Sequence, residues 1–190
     1  MDDTLSERFG IVLLPDAVID REARDIASHI DGNQITFSDV RVPHMTLYHA
    51  HLLNVPNTLV NQCLAEVAAC LPVEVKFTQV VPRNSKFIFW EIEKTSQLIE
   101  LHEIGLKLAK YLDLTAAAPA TKEGLRLSPE QEENVKKFGH PLVKGEWNPH
   151  ITVGYLSDVT NQVTLEAVRS GSLIKASFAK IVDLGQAEPI

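Results

Sequence analysis

The sequence predicts an α+β fold, built as two similar lobes facing each other across a cleft. Three observations point there. The segments follow the order strand, helix, strand, helix, strand, strand, helix, excursion, strand, helix, strand. That order holds a hairpin, so it departs from the strict alternation of a doubly wound parallel sheet. Two five-residue segments, Pro43-His44-Met45-Thr46-Leu47 and Pro149-His150-Ile151-Thr152-Val153, repeat one pattern, and they fall in different halves of the chain.

Each element has a local reason. Phe9-Gly10-Ile11-Val12-Leu13-Leu14 is a short apolar run ended by Pro15, as a buried strand would be. Asp16 can cap a helix whose apolar residues Ile19, Ala23, Ile26, Ala27 and Ile30 recur at helical spacing, with Gly32 as its stop. Pro43 opens the first motif strand, expected to reach Leu53. Pro56-Asn57 starts a second helix along Val60, Leu64, Val67, Ala68 and Leu71, stopped by Pro72. Val73-Glu74-Val75-Lys76-Phe77 alternates like a half-wet strand. Pro82-Arg83-Asn84-Ser85 turns it into the return strand Phe87–Ile92. A third helix follows Ser96, with Leu98, Leu101, Gly105, Leu108 and Leu112 in line. The stretch from Thr115 to Trp147 is read as a surface excursion. Inside it, Ser128-Pro129-Glu130-Gln131 is a capping box for a charged helix that Gly139 closes. The second motif strand runs from His150 to about Leu156. A short helix near Val163–Val168 and a strand around Leu173–Leu184 complete the chain, which is taken as one domain over residues 1–190.

The composition narrows the function classes. The chain has 190 residues, 45% of them apolar, and a net charge of −7. It can bury a sizeable core, and its acidity argues against a long footprint on DNA or RNA. No apolar run is long enough for a membrane span, and the acidic, polar start is unlike a secretory signal. Cys63 and Cys70, about 10 Å apart on one helix, are out of disulfide reach. Both are read as reduced, buried thiols in a cytoplasmic protein, with neither DNA nor membrane as partner.

The repeated motif carries the chemistry. On a strand, residues two apart point the same way and lie about 6.5–7 Å apart. His44 and Thr46 then share one face, as do His150 and Thr152, with Met45, Leu47, Ile151 and Val153 turned into a core. Two facing imidazoles can divide the acid and base roles of phosphodiester cleavage near neutral pH. Two threonine hydroxyls can donate to the non-bridging oxygens. That chemistry requires neither metal nor cofactor.

The paired motif resembles that of the two-histidine (2H) phosphoesterase superfamily, in its bacterial 2′-5′ RNA ligase-like and cyclic nucleotide phosphodiesterase branches. The resemblance implies a bilobal α+β fold with pseudo-twofold symmetry, two antiparallel sheets facing a central cleft and helices outside. It also implies metal-independent hydrolysis or transfer at 2′-linked phosphates. By that match His44 and His150 are the acid/base pair and Thr46 and Thr152 the phosphate holders. Several bacterial branches carry an arginine shortly after the second threonine; here the chain reads Val153-Gly154-Tyr155. The excursion is also longer than in compact members.

Other residues are candidates for substrate contact. Tyr48 shares the parity of His44, and Trp147 precedes the second motif and could stack on a base. Tyr155 has the parity of Ile151 and faces away unless a bulge intervenes. His49 and His51 have the parity opposite to His44 and read as a solvated strand end. His29, His102 and His140 read as surface positions. Arg8, Arg83, Lys86 and Lys144 are basic candidates for a phosphate pocket. The expected function is a phosphodiesterase for 2′,3′-cyclic phosphates, 2′-5′ linkages or small cyclic nucleotides. A non-catalytic nucleotide or RNA-end binding module using the same cleft is the alternative. A ligase or tRNA-processing role would want a basic stripe that the sequence lacks.

Overall fold

A computed structural model describes residues 7–83, 86–116, 127–157 and 165–190. In chain order the elements are β1 (Arg8–Pro15), α1 (Ala17–Ser28), β2 (Met45–His51), α2 (Asn57–Ala68), β3 (Val73–Arg83), β4 (Phe87–Ile92) and α3 (Ser96–Gly105). There follow a 3-10 segment (Leu106–Tyr111), α4 (Pro129–Phe138), a short turn (Lys144–Glu146), β5 (His150–Tyr155), β6 (Leu165–Ile181) and β7 (Ala187–Pro189). The fold is α+β, and every strand pair is antiparallel.

The strands pair in the order β1-β2-β5-β4-β3-β6-β7, and β1 also pairs with β6. The two expected sheets are therefore continuous. The first half of β6 lies along β3 and the second half along β1. On the other side, β2 and β5 are joined at one registered pair, Met45 with Ile151. The two motif strands thus lie side by side at the seam between the halves.

The apolar core lies on one face of this sheet, under the helices. Ile11, Leu13, Met45, Leu47, Ile88, Trp90, Ile151 and Val153 meet Ile19 and Ala23 of α1, Cys63 and Val67 of α2 and Leu98 and Leu101 of α3. The helical spacing that predicted α1 follows from this: its apolar stripe faces the strands, and the Asp16 carboxylate caps it by accepting from the Val18 and Ile19 amides. The capping box forms as expected, with Ser128 and Gln131 bonded reciprocally and Gly139 at a left-handed φ of 67°.

Some expectations need correction. Residues 165–168, read as part of a helix, belong to β6; Val163 and Thr164 lie outside the described residues. Cys63 is buried, but Cys70 is exposed. β3 runs on to Arg83, which the turn reading had claimed; Asn84 and Ser85 lie outside the described residues. Among the described residues no helix is long and apolar enough to cross a membrane.

Candidate active site

Each motif proline sets up its histidine. Proline fixes its own φ and pushes the preceding residue extended. The carbonyl of that preceding residue then meets the imidazole. His44 Nδ1–H donates to the Val42 carbonyl at 2.9 Å. His150 Nδ1–H donates to the Asn148 carbonyl at 2.7 Å. A carbonyl can only accept, so both rings carry their proton on Nδ1 and keep the Nε2 lone pair for chemistry.

Both motif strands bulge right after the threonine. In the β1–β2 ladder Val12 pairs with Thr46 and Ile11 with Tyr48, which leaves Leu47 as the extra residue. In the β4–β5 ladder Phe89 pairs with Thr152 and Ile88 with Gly154, which leaves Val153 extra. A bulge shifts the side-chain alternation by one. His44 and Thr46 stay on the face away from the core, and His49 and His51 join them. His150 and Thr152 do the same, and Tyr155 joins them. Continuing the register from Met45–Ile151 sets His44 across from Thr152 and Thr46 across from His150. The two imidazoles are then diagonal neighbours, on the order of 7–8 Å apart by Cα.

The bulges correct several placements. Tyr48 points into the core, 2% exposed, and its hydroxyl donates to the Phe138 carbonyl at 2.8 Å. His49 and His51 lie on the His44 face and are half-buried, so they are not a solvated strand end. Tyr155 faces the site, with Phe87 edge-on at 4.9 Å and the Lys86 ammonium 6.0 Å from its ring centre. Trp147 is 6% exposed and packs in the core. Its ring stacks on His102 at 4.4 Å, and its Nε1–H donates to the Thr46 carbonyl at 3.3 Å. It braces the first motif from behind. His102 is buried rather than on the surface. Its Nδ1–H donates to the Leu47 carbonyl at 2.5 Å, and its Nε2 accepts from the Lys144 amide at 3.0 Å.

Sequence reasoning missed the support around His150. Glu91, paired with His150 across the ladder, is a buried carboxylate. It accepts from Arg83 Nε at 2.9 Å, Gln79 at 3.1 Å and the Asn148 side chain at 3.0 Å. Burial works against its charge, but the hydrogen bonds from Arg83, Gln79 and Asn148 outweigh it and hold the carboxyl below its ordinary range. Glu91 therefore fixes Asn148, and Asn148 orients His150. Phe89 lies flat on the His150 ring at 3.6 Å. The available signal was the Asn-Pro-His order, which sets a polar side chain just before the motif.

Burial pushes both imidazoles down. His150 falls to about 4: the Asn148 carbonyl and the Glu91 charge oppose the fall, while His44 and Arg83 add to it. His44 is also lowered by burial, against two carbonyls, those of Val42 and Gly185, which favour its protonated form. Both rings are neutral in the empty site at neutral pH. The two halves of the site are thus alike in their motifs and unlike in their surroundings.

The model of the 2′-5′ RNA ligase superfamily matches residues 15–179. No curated protein matches the chain significantly. Seven solved chains match. One, a "Crystal structure of phosphoesterase", aligns over 97% of this chain and 95% of its own, with a TM-score of 0.50 and 16% identity. At that identity the likeness is one of fold. The match spans both motifs and nearly all the strands between them, and the chain belongs to the 2′-5′ RNA ligase superfamily, the two-histidine phosphoesterase family.

Proposed function

We propose that the protein is a metal-independent phosphodiesterase acting on 2′,3′-cyclic phosphates, 2′-5′ linkages or small cyclic nucleotides. The observation that carries this reading is the shared tautomer of His44 and His150. Each ring spends Nδ1–H on a backbone carbonyl two residues earlier and keeps Nε2 for proton transfer. Thr46 and Thr152 stand on the same face and can donate to the non-bridging oxygens between the rings.

The surroundings divide the roles. His44 meets two carbonyls that stabilise its cation, so it is the ring that holds a proton. His150 is a free base down to about pH 4, so it is the ring that takes one. Water attacks phosphorus as His150 Nε2 removes its proton. The P–O bond to the leaving ribose oxygen breaks as His44 gives that oxygen its proton. Proton return between the rings through solvent resets the site. The negative phosphate raises the pKa of His44 when it binds, which supplies the acid that the empty site lacks. Phe87 and Tyr155, beside Phe89, offer a nucleobase an aromatic surface on the His150 side.

The test is hydrolysis of 2′,3′-cyclic nucleotides, 2′-5′ dinucleotides and cyclic dinucleotides in EDTA. Wild type is run beside His44→Ala and His150→Ala. Each substitution should lower kcat by roughly 10²–10⁴-fold with the circular dichroism spectrum retained. Full activity in both variants would sink the proposal. Tight binding without turnover in the wild type would favour the binding-module reading.

A further inference from the structure

Beside the motif histidines lies a second imidazole pair. The bulge at Leu47 turns His49 onto the open face, and the segment after α4 brings His140 to it. The two rings meet edge to face, with centroids 4.6 Å apart. Gly10, opposite His49 in the ladder, has no room for a side chain: a Cβ there would lie 2.1 Å from the Tyr48 carbonyl and 2.7 Å from His49 Cβ.

The tautomers of this pair are the reverse of the motif pair's. His140 Nδ1 accepts the Leu142 amide at 3.1 Å, so its proton sits on Nε2. His49 Nδ1 is enclosed and meets no hydrogen-bond partner among the described residues. An enclosed N–H without an acceptor is more costly than an enclosed lone pair. The His49 proton therefore also sits on Nε2, the nitrogen on the ring's outer edge. His44 and His150 offer lone pairs; His49 and His140 offer donors. The charge of Arg8, whose guanidinium donates to the Val182 carbonyl at 3.0 Å, reaches both rings of the second pair. Among the described residues no carboxylate acts on either ring. Asp113 faces His51 instead.

Two N–H donors without an acceptor among the described residues, beside a guanidinium, suit an anion that is held rather than transformed. We propose that His49 and His140, with Arg8 behind them, form a second phosphate subsite for a substrate that carries another phosphate beside the scissile one. This rests on the phosphodiesterase reading of the adjoining site. It assigns the preferred substrate to phosphorylated or oligonucleotide ends over bare cyclic mononucleotides.

The experiment compares adenosine 2′,3′-cyclic phosphate with its 5′-phosphorylated form, in wild type, His49→Leu, His49→Gln and His140→Gln. Binding of adenosine 2′,5′-bisphosphate, adenosine 2′-monophosphate and inorganic phosphate is measured by calorimetry on the same proteins. The wild type should prefer the 5′-phosphorylated substrate by about tenfold, through KM, as one charge-assisted hydrogen bond supplies. His49→Leu should erase the preference while leaving kcat on the unphosphorylated substrate intact. His49→Gln and His140→Gln, which keep an N–H, should retain part of it. Equal kcat/KM for both substrates in the wild type overturns the subsite, as does an undiminished preference in His49→Leu. Inorganic phosphate binding as tightly as the bisphosphate overturns it too. If neither substrate turns over but the bisphosphate binds in a His49-dependent way, the subsite stands and the catalytic reading fails.

Discussion

At the scale of single residues, the proposed chemistry turns on where protons are kept. Two histidines in equivalent motifs differ because their neighbours differ. His150 has a flat Phe89 against its ring and a carboxylate acting through Asn148. His44 has a second carbonyl, from Gly185. The pH dependence follows with its sign. The base must be free, so kcat/KM falls as pH drops through about 4. The acid must be protonated, so kcat/KM falls again as pH rises through a value below the ordinary histidine pKa of about 6.5. The optimum of kcat/KM is expected on the acid side of pH 6.5. The alkaline limb of kcat, set in the complex, should lie higher because bound phosphate favours the His44 cation. Glu91→Gln removes a charge that raises the His150 pKa. It should lower kcat about tenfold or more and move the acid limb to lower pH. A lowered kcat with the limb unmoved would assign Glu91 to packing alone.

At the scale of elements, the bulges decide what the site contains. Alternation counted from His44 puts Tyr48 in the site and His49 outside it, and the structure reverses both. One extra residue in a strand is a tertiary choice. Leu47 and Tyr48 are both buried because the end of α3, at Gly105, packs against both side chains and the Phe138 carbonyl receives the Tyr48 hydroxyl. Consecutive apolar residues in sequence do not reveal such a bulge. α1 and α4 were legible for the opposite reason: their spacing and caps are local, as Asp16 and Ser128 show. The motif pairs, too, were legible because residues two apart need no tertiary information to share a face. His102 shows what escapes such reading. It reads as a surface residue of an amphipathic helix, yet it ties the Leu47 carbonyl of the first bulge to the Lys144 amide. His102→Phe keeps the stack on Trp147 but leaves both partners unpaired. It should destabilise the fold by roughly 2–4 kcal/mol in urea titration. A change under 0.5 kcal/mol would mean that the clamp contributes little.

At the scale of the whole molecule, one strand and one residue pair close the sheet between the halves, and six of the described histidines are buried or half-buried. β6 spans both halves on one side, and Met45–Ile151 closes the other. His44, His49, His102, His140 and His150 all have pKa values below the ordinary imidazole range, with burial as the leading cause in each, and His140 and His150 reach about 4. The unfolded chain takes up protons on these rings near pH 6.5, while the folded chain resists to lower pH, to about 4 for His140 and His150. A depressed folded pKa gives stability that is full above the unfolded value and is lost as pH falls through that window. The carboxylates of Glu91 and Asp16, also depressed, add their loss only near and below pH 4. The urea midpoint should therefore begin to fall near pH 6.5, well before carboxylates titrate, and continue to fall to pH 4. Saturating phosphate-bearing ligand should flatten that fall, since an anion between the rings makes their protonation favourable in the folded state as well. A midpoint constant from pH 7 to pH 5 would show that the rings protonate as freely folded as unfolded. The neutral, paired imidazoles on which the proton-transfer assignment stands would then be lost with it.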